Sequence, residues 1–361
     1  MKDEMLLPWI RVARIEIDFS ARVSVRDGVA STLGLELSAM GVRRVLLVVG
    51  DTVQKSVLSE ICEGLSAAQL EWGALFIHPE AYSVRVVDRA VEFSRKAQAV
   101  VALGCWLPAA LSKILSARLG TVLVAIPVPP GLAEAFSRMT VRPRGYVGPS
   151  KPLRLPDAIF VDTRLISRSL HSEELQRVLA PETLLAALEA LAVGWRNSFV
   201  RLLAETAVEK LEQSLRGSLA DAAHHLFEAA VYAALARGHA MCSALSSLAR
   251  ALFALFGVDP YVAELAIARA WVTAASQAVE GSPAADAYRR ATRLLEELTG
   301  SFSAASTLVE LGVGENKLDL AVEYAWTFEH YCVELDPAVS SRFSLRQLLV
   351  GASFREAQRR C

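Results

Sequence analysis

The sequence contains no uninterrupted apolar stretch long enough to span a membrane, which argues against an integral membrane protein. It also has no excess of positive charge. Its 38 Lys and Arg face 39 Asp and Glu, so there is no basic surface for nucleic-acid phosphates. The opening residues, Met1-Lys2-Asp3-Glu4-Met5, are acidic where a signal peptide needs basic side chains, and no apolar core follows. Cysteine is scarce and scattered: Cys62, Cys105, Cys242, Cys332 and Cys361 form no C-x-x-C pair. An odd, dispersed set predicts free thiols in a reducing compartment rather than disulfides or a zinc cluster. A cytoplasmic protein with no nucleic-acid or membrane partner is expected. Seven lysines stand against 31 arginines, and Asn197 and Asn316 are the whole asparagine complement. So few thermolabile amides hint at a thermophile.

What is abundant is apolar side chain, 53% of 361 residues, enough for a large core and two domains. Residues 11–17 alternate like a strand, and 22–25 could be its antiparallel partner. Residues 28–40 have helical spacing. Val45 to Val49 form an unbroken apolar run, the mark of a strand buried on both faces. Gly50-Asp51-Thr52 follows, then a helix over 53–67, a strand over 70–77 and a helix over 84–96. Residues 99–103 make another buried strand, which Gly104 ends. Pro108 suits the first turn of the next helix, where its missing N–H costs nothing. Residues 121–126 make the following strand. Such alternation predicts a doubly wound parallel sheet. Seven of the 14 prolines lie between 127 and 156, which predicts loop or hairpin, and 156–161 gives one last strand. After residue 172 the spacing becomes helical, as in Leu184-Leu185-Leu188-Leu191 and Leu248-Leu252-Leu255. The expected fold class is α/β: an N-terminal, Rossmann-like parallel sheet over 1–165, then an all-helical domain over 166–361.

Five segments share their order with one known group. They are Val45 to Leu58 (Val-Leu-Leu-Val-Val-Gly-Asp-Thr-Val-Gln-Lys-Ser-Val-Leu), Ala102 to Lys113, Ile126-Pro127, Ala180 to Ala190 (Ala-Pro-Glu-Thr-Leu-Leu-Ala-Ala-Leu-Glu-Ala) and Gly238 to Leu245 (Gly-His-Ala-Met-Cys-Ser-Ala-Leu). In this the chain resembles the superfamily of iron-containing alcohol dehydrogenases, glycerol dehydrogenase, glycerol-1-phosphate dehydrogenase and dehydroquinate synthase. The resemblance spans nearly the whole chain. It implies NAD or NADP on the sheet domain and a divalent metal, zinc or iron, on the helical one. It places Gly104, Lys113 and Asp51 at the cofactor and makes Glu182 and His239 metal ligands facing one another across the cleft.

Several family positions are altered. The Gly-Gly-Gly-x-x-x-Asp-x-x-Lys loop reads Gly104-Cys105-Trp106, then Ala110 for the aspartate, with Lys113 kept. Glycine is needed there because backbone must approach phosphate closely, and an indole fills that space. Asp51 can accept ribose hydroxyls or cap the next helix. Glu182 is the carboxylate that dehydroquinate synthases use. The second histidine, from a His-Gly-Glu-x-Val helix start, has become Val262, which should point into the same space. His224 or His225 with Glu228, or His330, could serve as rescue ligands or sit on the surface. Glu134 lies one place from a family aspartate.

The resemblance implies a metal-assisted, NAD(P)-dependent oxidoreductase of a small polyol or polyol phosphate, of glycerol or glycerol 1-phosphate type, with an eroded site. The alternatives are a non-catalytic pseudoenzyme that keeps the fold for ligand or partner binding, and a dehydroquinate synthase-type lyase. The losses fall at chemically necessary positions, which favours an impaired or repurposed member. A small-molecule ligand in the interdomain cleft and a homo-oligomer are expected.

Overall fold

The computed structural model describes residues 21–129, 131–165, 173–216, 219–240, 242–301 and 307–353. The strand expected over 11–17 lies outside them. Among the described residues six strands form one sheet: β1 (Arg22–Arg26), β2 (Arg44–Gly50), β3 (Glu71–Ile77), β4 (Ala99–Gly104), β5 (Val122–Pro127) and β6 (Ala158–Asp162). Their order is β1-β6-β5-β4-β2-β3 and every pairing is parallel. Residues 22–25 were expected to pair antiparallel with the preceding segment. Among the described residues β1 instead pairs parallel with β6, Arg22 opposite Ala158.

The helices of this half are α1 (Leu33–Ala39), α2 (Lys55–Ala67), α3 (Val84–Phe93) and α4 (Trp106–Leu119). The pleat sorts side chains between the two faces. Val45, Leu47 and Val49 pack with Val57, Ile61 and Leu65 of α2 on one side. Leu46 and Val48 pack with Val87 of α3 and Leu111 of α4 on the other. The chain leaves β2 toward β3 at one edge and leaves β4 toward β5 in the opposite direction. The carboxyl ends of β2 and β4 therefore flank the switch point, where open α/β sheets form their binding crevice. The proline-rich stretch is mostly irregular but holds a short helix, α5 (Leu132–Phe136), that proline content concealed.

After Asp162 the described residues contain helices only: α6 (Glu173–Val193), α7 (Ser198–Arg216), α8 (Leu219–Ala240), α9 (Ala244–Phe256), α10 (Pro260–Val279), α11 (Ala285–Ser301), α12 (Leu318–Phe328), α13 (His330–Leu335) and α14 (Arg342–Ser353). Leu184, Leu188, Leu191, Leu248, Leu252 and Trp271 are at the centre of their core. That core continues onto the sheet through Ala102, Ala125, Ile159 and Val161, so the two halves share one apolar boundary. No single helix among the described residues is long and apolar enough to cross a membrane.

The free-thiol expectation needs correction. Cys242, just before α9, is disulfide-bonded to Cys332 of α13, 90 residues away. Spacing along the chain cannot show a partner that only the helix packing brings close. Cys62 and Cys105 are free thiols.

Candidate functional site

A cavity of about 50 Å³ opens where the two halves meet, lined from one side by Trp106, Gly131 and Glu134 and from the other by Glu182, Arg237, Arg250, Tyr261 and Glu264. On the sheet side, β4 ends at Gly104, whose φ of +130° favours glycine, and α4 begins at Trp106. A helix start of this kind presents free N–H groups to phosphate. Here it is covered. Gly131 (φ +115°) lies so close that any side chain on it would collide with the backbone of Trp106. The indole is buried between Phe253 and Tyr82, with ring centroids 5.3 and 6.4 Å away. Its N–H donates to Asp259 Oδ2 at 3.1 Å. Asp259 Oδ1 in turn accepts from the N–H groups of Tyr261 (2.9 Å) and Val262 (3.2 Å) and so caps α10, which opens with Pro260.

On the helical side, Pro181 lies inside α6, directly before Glu182. Proline removes a backbone donor from the helix interior. Nearby, the carbonyl of Val178 accepts from the Tyr261 hydroxyl at 2.5 Å. Glu182 Oε1 accepts from Gly131 N–H at 2.8 Å, while its Oε2 is buried without a hydrogen-bond partner. Burial, opposed by that hydrogen bond and by Arg237, pushes the Glu182 carboxyl up to about 7.

Arg237 of α8 holds the centre of this wall. Its Nε lies 2.7 Å from Glu189 Oε2, and its terminal nitrogens meet Glu264 at 2.6 and 3.4 Å. Burial raises the Glu264 carboxyl and Arg237 pulls it back. The Ser243 hydroxyl donates to the other oxygen of Glu189. Arg250 of α9 is paired with the buried Glu329 at 2.7 Å and also donates to Cys332 Sγ, a sulfur of the disulfide, at 3.4 Å. Glu134 receives Lys113 Nζ at 3.1 Å and the Thr140 hydroxyl at 2.6 Å.

The structure brings one member of the expected ligand pair to the cavity. Glu182 lines it, whereas the cavity residue from His239's helix is Arg237. His239 is half-buried and packs edge-on against Phe199, centroids 5.5 Å apart; burial and Arg138 lower its pKa. Val262, expected in the same space, is half-buried outside the lining, where Tyr261 and Glu264 take the place from the same helix. His225 and His224 stand 3.4 and 3.7 Å from Glu228, and His330 stands 2.8 Å from Glu334, all as local pairs on their own helices. Lys113 is buried, its side chain 1% exposed, and bonded to Glu134; burial lowers its pKa. Asp51 does not cap α2, whose N-cap is Gln54. It is exposed, 3.5 Å from His78 Nδ1.

Sequence reasoning missed Arg237, Glu189 and Glu264. Some signal was present. Glu182 and Glu189 are seven apart, which places both on one helix face, and Arg237 is a lone cation near the end of an apolar run. The divalent metal implied by the resemblance does not fit the residues present. Among the described residues no three His, Cys, Asp or Glu side chains cluster to hold an ion. Of the expected pair only Glu182 reaches the cavity, and one carboxylate does not fix a divalent ion, which needs three or four ligands in a set geometry. Nor does the covered start of α4 leave the close backbone approach that a pyrophosphate needs.

The iron-containing alcohol dehydrogenase family profile matches residues 24–169. No curated protein matches the sequence. Similar solved structures include an archaeal, halo-thermophilic alcohol dehydrogenase from a Red Sea brine pool (TM-score 0.77, 18% identity, 94% of this chain and 99% of that one). An iron-containing alcohol dehydrogenase from Thermotoga maritima gives a TM-score of 0.76 at 18% identity, covering 93% and 99%. A maleylacetate reductase from Agrobacterium tumefaciens gives 0.64 at 21%, covering 92% and 96%. The chain has the two-domain fold of the iron-containing alcohol dehydrogenase superfamily, and its sheet half matches that family in sequence.

Proposed function

We propose that this chain is a ligand-binding member of the superfamily in which metal-assisted hydride transfer has been given up, with residues 1–165 and 166–361 as the two walls of the site. The observation that carries this reading is Arg237. A fixed guanidinium, paired with Glu189 and Glu264, stands in the cavity where a polarising metal would have to bind beside Glu182. Binding of NAD or NADP is weak or absent because Gly131 and Trp106 close the phosphate turn. Titration of NADH and NADPH by fluorescence, followed by turnover assays with glycerol, glycerol 1-phosphate and 1,3-propanediol, tests it. No saturation at micromolar cofactor and no turnover are expected.

The second reading is an active NAD(P)-dependent oxidoreductase of a small polyol or polyol phosphate. In its favour, Gly104 keeps its positive φ at the end of β4 and an exposed Asp51 follows β2 at the switch point. Saturable cofactor binding with turnover would establish that reading.

A further inference from the structure

We propose that the ligand of this cavity is a small primary amine, held as its ammonium with an N–H donated to Glu182 Oε2. The proposal rests on the ligand-binding reading above and adds the chemistry of the ligand.

The charges around the cavity decide the sign of its occupant. Lys113 is matched by Glu134, Arg250 by Glu329, and Arg237 by Glu264. Glu189 is then a second carboxylate on the same Arg237. Glu182 has no cation of its own within ion-pair distance among the described residues. With all of these groups ionised the formal charge is negative, and a carboxylate or phosphate ligand would increase the excess and drive Glu182 toward its protonated form. A cation relieves it, and buried charge is tolerated when paired and hydrogen-bonded.

Glu182 also supplies the attachment point. The residue is 6% exposed, the Gly131 and Ala133 N–H groups serve its carboxylate from one side, and its Oε2 is buried without a hydrogen-bond partner of its own. Such an atom asks for a donor. Trp106 and Tyr261 are in the lining, and aromatic surroundings tolerate an ammonium better than an anion. Size restricts the ligand further. A volume of about 50 Å³ holds roughly four water-sized groups, so the part of the ligand that enters is of ethanolamine size.

Calorimetric titration of the full-length protein with ethanolamine, ethylene glycol and glycolate separates the charge classes at nearly constant size. Ethanolamine should bind saturably and at least about tenfold tighter than ethylene glycol, with glycolate weaker still. On the unaltered protein, N,N,N-trimethylethanolamine keeps the charge but lacks an N–H, and should also bind about tenfold weaker than ethanolamine. Glu182→Gln keeps an acceptor for Gly131 but removes the charge. If it unfolds cooperatively like the parent, it should lose the preference for ethanolamine over ethylene glycol. Equal or tighter binding of ethylene glycol or glycolate, or no saturable ethanolamine binding, overturns the proposal. So does displacement of ethanolamine by equimolar zinc or magnesium chloride. Failure of the underlying reading has a different signature, bound metal or saturable NAD(P)H, so the two failures can be told apart.

Discussion

The sheet half meets the cavity with a ring and a bare stretch of backbone, whereas the helical half meets it with charges. At the end of β4 the turn is held by packing: Trp106 sits between Tyr82 and Phe253, and Gly131 lies against its backbone. Across the cavity the helical wall is held by electrostatics, with Arg237 between Glu189 and Glu264. The two arrangements differ in what their removal costs. An indole leaves a hole that neighbours can partly refill, while a guanidinium leaves two buried carboxylates with no partner.

The largest effect should therefore come from the helical wall. Arg237→Met is expected to cost about 3–5 kcal/mol, read from chemical denaturation, because Glu189 and Glu264 lose their common cation. Trp106→Ala should cost about 3 kcal/mol and leave a cavity beside Phe253. If the tryptophan variant proved the more damaged of the two, the contrast between the walls would be reversed. Replacing Cys242 and Cys332 together with serine should cost about 2–3 kcal/mol in thermal or chemical unfolding, because the bond closes a long loop next to Arg250.

The last effect is a pH dependence that originates in the helical wall. Burial holds the Glu182 carboxyl at about 7, above its ordinary 4.5, so the folded state binds the extra proton between those values. Stability due to this residue is full below about 4.5 and falls as pH rises through about 7. Glu182→Gln should flatten the difference between denaturation at pH 5 and pH 8. An unchanged slope would mean that another group, Glu264 among them, carries the titration.

The same contrast explains what the sequence disclosed. Val45 to Val49 and residues 99–103 are buried on both faces, so continuous apolar runs announced β2 and β4. Leu184, Leu188 and Leu191 announced the helical core by spacing. Trp106 could be read as a loss at the phosphate turn because a ring is visible in the sequence itself. Its partner in closing the turn, Gly131, could not, since the close approach depends on how the proline-rich segment folds back. Arg237 was hidden for the same reason. It is two residues from His239, and only the rotation of α8 decides which of them faces Glu182. The disulfide depends on α13 packing beside the start of α9, which no spacing records.

The most direct test of the account is the metal content of the unaltered protein, expressed and purified with zinc and iron supplied and measured by elemental analysis. A cavity whose cation is Arg237 predicts well under one ion per chain after brief chelation. One tightly held zinc or iron per chain would contradict it, and would mean that Glu182 recruits ligands that this arrangement of α6, α8 and α10 keeps apart.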